Sequence, residues 1–185
     1  MQTLNFNSKN FDRTLERLLL KRKCKTQLNS VSVKNIINDV KKNGDKAVIK
    51  YEKKFNKNSV IIPSSKLILK SISNLDKKVK KAIDIAYNRI YKFHSLQKFK
   101  NISYTDKLKN KLEYKYLPID SIAIYVPGST ASYPSSVLMN AIPAIVAGVK
   151  RIAMINPGLK GKQNSAVLYA AKKCKINEIY SIGGA

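Results

Sequence analysis

The sequence has little of several features that would indicate common classes of protein. It contains no tryptophan, one histidine and two cysteines in 185 residues. No stretch approaches the roughly 18 consecutive apolar residues of a membrane-spanning helix, and the N-terminus lacks the apolar run and cleavage site of a secretory signal. Cys24 and Cys174 lie far apart and match no metal-ligand spacing. We therefore expect a reduced, cytoplasmic protein without a transmembrane helix.

Acidic residues are also scarce, and this makes nucleic-acid binding the first hypothesis to consider. The chain has 36 Lys+Arg against 11 Asp+Glu, a formal charge of +25. Lysine supplies 31 of those 36 cations, although arginine is the better reader of phosphates and bases. Lys, Asn and Ile, which share adenine- and thymine-rich codons, make up 69 residues. Because acidic residues interrupt the lysines along the predicted helices, the charge is more typical of a solvated surface, and we consider nucleic-acid binding unlikely.

The composition changes near residue 118 and predicts two regions. Residues 1–118 have a net charge of +20 (29 basic, 9 acidic), whereas residues 119–185 have +5 (7 basic, 2 acidic) and six of the seven glycines. We interpret residues 1–118 as a Lys-rich helical segment with a short extended or hairpin region. Its predicted elements are a helix capped by Ser30 or Ser32 and ended by Gly44, a next helix capped by Asp45, a long helix over about 75–96, and extended segments over 102–105 and 111–117, the last half-buried.

Residues 119–185 have the pattern of a β-α-β-α-β unit. Short apolar runs over 121–126, 151–156 and 178–182 predict buried parallel strands, which begin 30 and 27 residues apart, as right-handed crossovers require. Between them we predict a helix capped by Ser135 or Ser136 and ended by Gly148, with Pro143 inside it, and a helix over 162–175. The fold class is therefore α/β, with an N-terminal helical segment followed by a Rossmann-like parallel unit. We interpret residues 119–185 as a partial nucleotide-binding domain.

Each predicted strand ends in a glycine-bearing turn, at 127–128, 157–158 and 183–184. Ligands of open parallel sheets bind outside the carboxyl ends of the strands, and the helix start at 135–137 would offer N–H groups to an anion. These features predict a nucleotide crevice; the alternative is that the glycines only end the strands. The common phosphate-binding loops, metal-ligand clusters and nucleophile motifs are absent. We interpret His94, on the long helix, as a packing or surface residue.

Four segments, in order along the chain, resemble the histidinol dehydrogenase family. Residues 124–149 read IYVPGSTASYPSSVLMNAIPAIVAGV and closely resemble its signature. The segment 33–45 with Tyr51 and Phe55 resembles its early helical pair, Arg89–Gln97 its I-x-x-F-H-x-x-Q helix end, and Glu178–Ala185 its strand before a Gly-Gly-Ala-Gln turn. The resemblance covers about residue 31 to the end of the sequence.

The resemblance implies a function that the residues alone did not. Members of that family oxidise L-histidinol to L-histidine through the aldehyde, in two NAD-dependent hydride transfers, as the last step of histidine biosynthesis. They are zinc-dependent homodimers in which a Glu–His pair handles protons. Tyr125 matches the family tyrosine that contacts NAD, and Pro127 and Gly128 form the same loop. The zinc ligands and proton-transfer residues lie in the family's later half, so we expect an inactive fragment without catalytic or metal-binding residues.

The sequence departs from the family at two matched positions. Ser129 replaces the usual second glycine of the Pro-Gly-Gly loop, which puts the loop geometry in doubt if a positive φ is needed there. Ile145 stands where a basic residue is common, and His94 matches a position that is not a zinc ligand. Three alternatives remain: Tyr125 as a core aromatic, the chain as a non-catalytic nucleotide- or nucleic-acid-binding basic module, and the chain as an inert product that aggregates through an open sheet edge.

Overall fold

The structure, a computed structural model, has six helices and five strands in the part of the chain that it describes. That part comprises residues 7, 10–58, 60–128, 132–158 and 162–183, with the backbone alone for 21–30. The chain divides into two compact units, Met1–Val48 and Ile49–Gly184. Over the described ranges, no helix combines the length and the apolar character needed to cross a membrane.

Helix α1, Phe11–Asn43, dominates the first unit. It ends at Gly44 as predicted, where the Gly44 N–H donates to the carbonyl of Val40 at 2.8 Å. The predicted start at Ser30 or Ser32 is wrong because the helix continues through both positions. Residues 11–43 contain no glycine or proline, and lysine, leucine, arginine and glutamine all favour helix, so nothing interrupts it. Helix α2, Asp45–Asn56, begins at Asp45 itself.

Two further helices precede the sheets. Helix α3, Ser65–Ser73, was not predicted; Ser64 caps it by accepting from the N–H of Leu67. Helix α4, Lys77–Ser95, confirms the prediction for 75–96 and is capped by Asp76. Both pack against the helices of the α/β region, and they contribute Ile72 and Ile83 to its core.

Strands β1, Ile102–Thr105, and β2, Lys111–Tyr114, form the expected hairpin, with antiparallel pairing. The expectation of a half-buried second strand is wrong, because Leu112 and Tyr114 are 61% and 59% exposed. Both strands are exposed along their whole length. The apolar residues of this alternating pattern therefore lie on a face of the hairpin that no other described part of the chain covers.

The remaining strands confirm the Rossmann-like unit. Strands β3, Ser121–Tyr125, β4, Arg151–Ile155, and β5, Glu178–Tyr180, form a parallel sheet in the order β3-β4-β5. Tyr125 pairs with Ile155, and Ile155 pairs with Tyr180, so these three residues form one row across the sheet. The strand ends therefore lie side by side.

Helix α5, Pro134–Ala147, connects β3 to β4, and helix α6, Ser165–Lys173, connects β4 to β5. The predicted cap at Ser135 or Ser136 is wrong: Tyr133 is the N-cap and Pro134 opens the helix, a position where proline loses no hydrogen bond. Pro143 lies inside α5, and Gly148 ends it with φ +92°, as expected.

The core lies between the sheet and these helices. Ile124, Met154 and Ile179 point into it from the three strands, and most of its other members come from α5 and α6: Val137, Leu138, Ala141, Ile142, Ala166, Val167, Leu168, Ala170 and Ala171. The strand over 121–126 was expected to be buried throughout, but Ala123 and Tyr125 are exposed on the opposite face. Helices α5 and α6 both lie on one face of the sheet, since right-handed crossovers in one direction place them on the same side.

Charged pairs join elements at the periphery of this core. At the amino ends of the strands, the Arg151 guanidinium donates twice to the Glu178 carboxylate, at 2.7 Å each. Between α4 and α6, Lys173 lies 2.8 Å from Asp84, which also accepts from the Tyr169 hydroxyl. The hydrogen bond from Lys173 lowers the pKa of Asp84 below its ordinary value.

Candidate functional site

The carboxyl ends of the three parallel strands bring the predicted glycine turns together. We call residues 125–128, 156–158 and 181–183 the carboxyl edge. An ideal Cβ on Gly128 would lie 1.6 Å from the carbonyl oxygen of Pro157, so any larger residue would collide with the backbone of the neighbouring turn. The glycines here thus permit the turns to pack on one another. Ser129 and Gly184 lie outside the described residues.

Asn156 connects the three strand ends, and sequence reasoning had not assigned it a role. Its side chain is 2% exposed, and its Nδ2 donates to the carbonyl of Val126 at 2.8 Å. Its backbone N–H donates to the carbonyl of Tyr180 at 2.9 Å. One residue therefore bonds to the ends of both neighbouring strands. Asn156 directly follows the apolar run of β4, and a polar residue in that position is the sequence signal that could have identified it.

Tyr125 is the last residue of β3 and is 53% exposed. The alternative that it is a core aromatic therefore does not hold. Its hydroxyl reaches the turn after β5, where an ideal Cβ on Gly183 would lie 2.9 Å from it. Pro127 follows on the surface and Gly128 is half-buried. The edge thus presents an accessible ring and hydroxyl above three closely packed turns.

Two polar features face the same edge from the helices. Helix α5 begins there, and its N-cap residue Tyr133 makes no side-chain hydrogen bond to the first N–H groups, an arrangement that suits an anion. Gln163, just before α6, donates through Nε2 to the carbonyl of Asn156 at 3.2 Å. Its Oε1 is buried and has no hydrogen-bond partner among the described residues. Gln163 also lines a cavity of about 360 Å³ together with Ser71 and Ser165.

A segment from outside the α/β unit also reaches this edge. Asn58 is buried and donates to the carbonyl and the hydroxyl oxygen of Ser181, at 3.2 Å each. The Ser181 N–H in turn donates to the carbonyl of Ile61. These contacts join residues 120 or more positions apart, and no local pattern in the sequence indicates them.

The groups that could hold a metal do not converge. Within the described ranges, no three His, Cys, Asp or Glu side chains lie close enough to bind an ion. His94 contacts Gln97 through Nδ1 at 2.6 Å and lies edge-on to the ring of Phe93, which matches its interpretation as a packing or surface residue. With Tyr116 and Pro143 it lines a cavity of about 340 Å³ beside the C-terminal half of α5. The thiol of Cys174 is buried, which raises its pKa to about 11.

Comparisons with known proteins identify related sequences along nearly the whole chain. The family model described as histidinol dehydrogenase matches residues 20–185. The chain is 78% identical over 184 residues to the histidinol dehydrogenase of Pelagibacter ubique, covering 100% of this chain and 43% of that protein. It is 42% identical over 172 residues to that of Agrobacterium fabrum, covering 91% of this chain and 40% of the relative.

Solved structures agree with the sequence comparison. A crystal structure of histidinol dehydrogenase from Elizabethkingia anophelis matches 84% of this chain with a TM-score of 0.79 and 36% identity, and the match covers 36% of that protein. The chain thus spans less than half the length of each of these relatives.

Proposed function

The chain belongs to the histidinol dehydrogenase family, and from that membership we propose that it forms part of an enzyme that oxidises L-histidinol to L-histidine. The observation that carries the proposal is the 78% identity to a relative of that name across the whole chain. The reaction removes two hydrides, one for each of two NAD molecules, and water supplies the second oxygen of the carboxylate product. It would be the last step of histidine biosynthesis.

The carboxyl edge is the part of this chain that suits NAD. Tyr125 offers ring area and a hydroxyl, and the Pro127-Gly128 turn lies directly beside it. The start of α5, where the N-cap residue Tyr133 makes no side-chain hydrogen bond, suits a pyrophosphate. NAD would accept hydride when bound. Tyr125, Pro127 and Gly128 would hold it, and residues 119–185 would form part of its domain, preceded by the Lys-rich segment 1–118.

Zinc has no comparable position in the described part of the chain. Its usual ligands are histidine, cysteine and carboxylates, and no three of these converge within the described ranges. The described residues therefore do not fit a zinc site. We assign the zinc ligands and the Glu–His pair to the portion of the longer relatives that this chain does not span.

The remaining properties follow the family. The substrate is a small molecule, and the longer protein would be a homodimer. It would work in the cytoplasm, where NAD and amino-acid precursors are available. The 185-residue chain by itself would bind part of the dinucleotide but catalyse nothing.

A graft into a longer relative tests the proposal. The segment of the Pelagibacter ubique enzyme that matches this chain is replaced by the 185 residues, and L-histidinol oxidation is followed as NADH formation with zinc present. We expect activity within about threefold of the parent and none from the 185-residue chain alone. A folded but inactive graft, or turnover by the chain alone, would contradict the proposal.

A further inference from the structure

The end of helix α2 holds the third turn of the carboxyl edge by its backbone. Glu52 Oε1 accepts from the N–H of Gly183 at 2.7 Å. Asn56 Nδ2 donates both to Glu52 Oε2, at 2.8 Å, and to the carbonyl of Gly183. Both backbone polar groups of Gly183 are therefore bonded to α2 side chains, across more than 120 positions of sequence.

Burial makes this arrangement specific. Glu52 is 4% exposed, and glutamate is seldom buried unless its oxygens have partners. Here each carboxylate oxygen accepts one hydrogen bond, from the Gly183 N–H and from Asn56. The Glu52 side chain extends from α2 to the turn after β5, so its carboxylate joins two separate elements. The contacts place an acceptor at the Gly183 N–H and a donor at the Gly183 carbonyl.

The position of Gly183 in turn bears on Tyr125. Its backbone packs so closely that an ideal Cβ would lie 2.7 Å from Cγ of Pro157 and 2.9 Å from the Tyr125 hydroxyl. Movement of this turn toward Tyr125 would displace the phenol, and movement away would leave it unsupported. A chain of contacts thus runs from Glu52 through Gly183 to Tyr125.

We propose that Glu52 is a positioning residue for dinucleotide binding, which fixes the Ser181–Gly183 turn and thereby the orientation of Tyr125. The inference rests on the proposed NAD role of Tyr125. Glu52 touches neither substrate nor cofactor in this account. Its contribution is that of an anionic acceptor matched to one backbone N–H, and Asn56 supplies the complementary donor to the carbonyl.

The test uses the grafted full-length enzyme described above. Glu52→Ala removes both acceptors, whereas Glu52→Gln keeps a carbonyl oxygen for the Gly183 N–H and loses only the acceptor for Asn56 Nδ2, which still donates to the Gly183 carbonyl. Asn56→Asp replaces the donor with a second carboxylate beside Glu52 and the Gly183 carbonyl. Glu113→Ala, on the exposed hairpin, is the matched control. KM for NAD, KM for L-histidinol, kcat and the melting temperature are measured for each.

We expect Glu52→Ala and Asn56→Asp to raise KM for NAD about tenfold or more, with KM for L-histidinol within twofold of the parent. Glu52→Gln should restore KM for NAD to within about threefold, and Glu113→Ala should change nothing. The inference is overturned if Tyr125→Ala raises KM for NAD while Glu52→Ala does not. It is also overturned if Glu52→Ala and Glu52→Gln both raise KM for NAD and KM for L-histidinol and both lower the melting temperature. An inactive unmodified graft would instead overturn the proposed function, and this inference with it.

Discussion

Asn156 and Val126 are joined by a buried hydrogen bond of 2.8 Å between the Asn156 Nδ2 and the Val126 carbonyl. The bond connects β4 to β3 just beyond their last paired residues, at the point where the turns of the carboxyl edge begin. It fixes the spacing of the two turns that the proposed dinucleotide site uses.

Replacing Asn156 with alanine should therefore destabilise the α/β unit. The change leaves the Val126 carbonyl buried without this donor, at a cost of about 2 kcal/mol. Urea unfolding of the 185-residue chain, followed by far-UV circular dichroism, measures it. Asn140→Ala is the control, because Asn140 makes an exposed bond to Ser136 within α5, and its loss should change stability by under about 0.5 kcal/mol. Equal effects at the two positions would contradict the role given to Asn156.

Gly128→Ala should be more damaging than an ordinary glycine substitution. The new Cβ would lie 1.6 Å from the Pro157 carbonyl oxygen, so the two turns must separate, and we expect a loss of about 3 kcal/mol or more. Gly148→Ala provides the comparison, since Gly148 is in the left-handed region and its Cβ would lie 3.7 Å from Cγ of Pro118, an ordinary contact. Its cost should be only the backbone strain of about 1 kcal/mol. Melting temperatures of the two variants would rank them, and the reverse order would be inconsistent with the packing described.

Tyr125 variants test the proposed cofactor contact in the grafted enzyme. Tyr125→Phe removes the hydroxyl and should raise KM for NAD about threefold to tenfold. Tyr125→Ala also removes the ring and should raise it by more than about tenfold. Steady-state kinetics at saturating L-histidinol give both values. Tyr104→Phe, on the exposed hairpin, should leave KM unchanged; an unchanged KM in Tyr125→Ala would exclude the contact.

Acid should weaken the connection between α4 and α6 through Asp84. The Lys173 hydrogen bond lowers the pKa of Asp84 from its ordinary 3.8. A lowered folded-state pKa contributes stability above the unfolded value and loses it as the pH falls through the folded one. The parent should therefore lose more stability than Asp84→Asn between about pH 6 and pH 3. Because Lys173 and Asp84 are each about one-third exposed, the two proteins should differ in the stability they lose by under about 1 kcal/mol. Urea unfolding of both proteins across this pH range measures the losses, and equal losses would refute the prediction.

The sequence predicted the α/β region well because its signals are local. Apolar runs with regular spacing give β3, β4 and β5, and the alternation of apolar and lysine positions gives α4. Gly44 and Gly148 end helices where they were expected to, since glycine adopts positive φ without strain.

Errors arose where the outcome depends on distant parts of the chain. The capping potential of Ser32 could not interrupt α1, since the helix formers on both sides outweigh one serine. The contacts of Glu52 and Asn58 with the third turn join segments far apart in sequence, and local patterns carry no information about them. The exposed face of β3 follows from where the crossover helices lie, and the apolar run itself does not reveal which face they cover.

The charged pair of Arg151 and Glu178 gives the two rims of the parallel sheet different sensitivities to their surroundings. The rim where the strands begin is joined by exposed ions, whose attraction dissolved salt screens. The opposite rim is joined by groups out of reach of solvent, the amides of Asn58 and Asn156 and the carboxylate of Glu52, and dissolved salt screens buried groups much less. Raising ionic strength should therefore loosen the sheet from its starting rim while leaving the ligand-facing rim intact, so that cofactor affinity and strand fraying would vary independently.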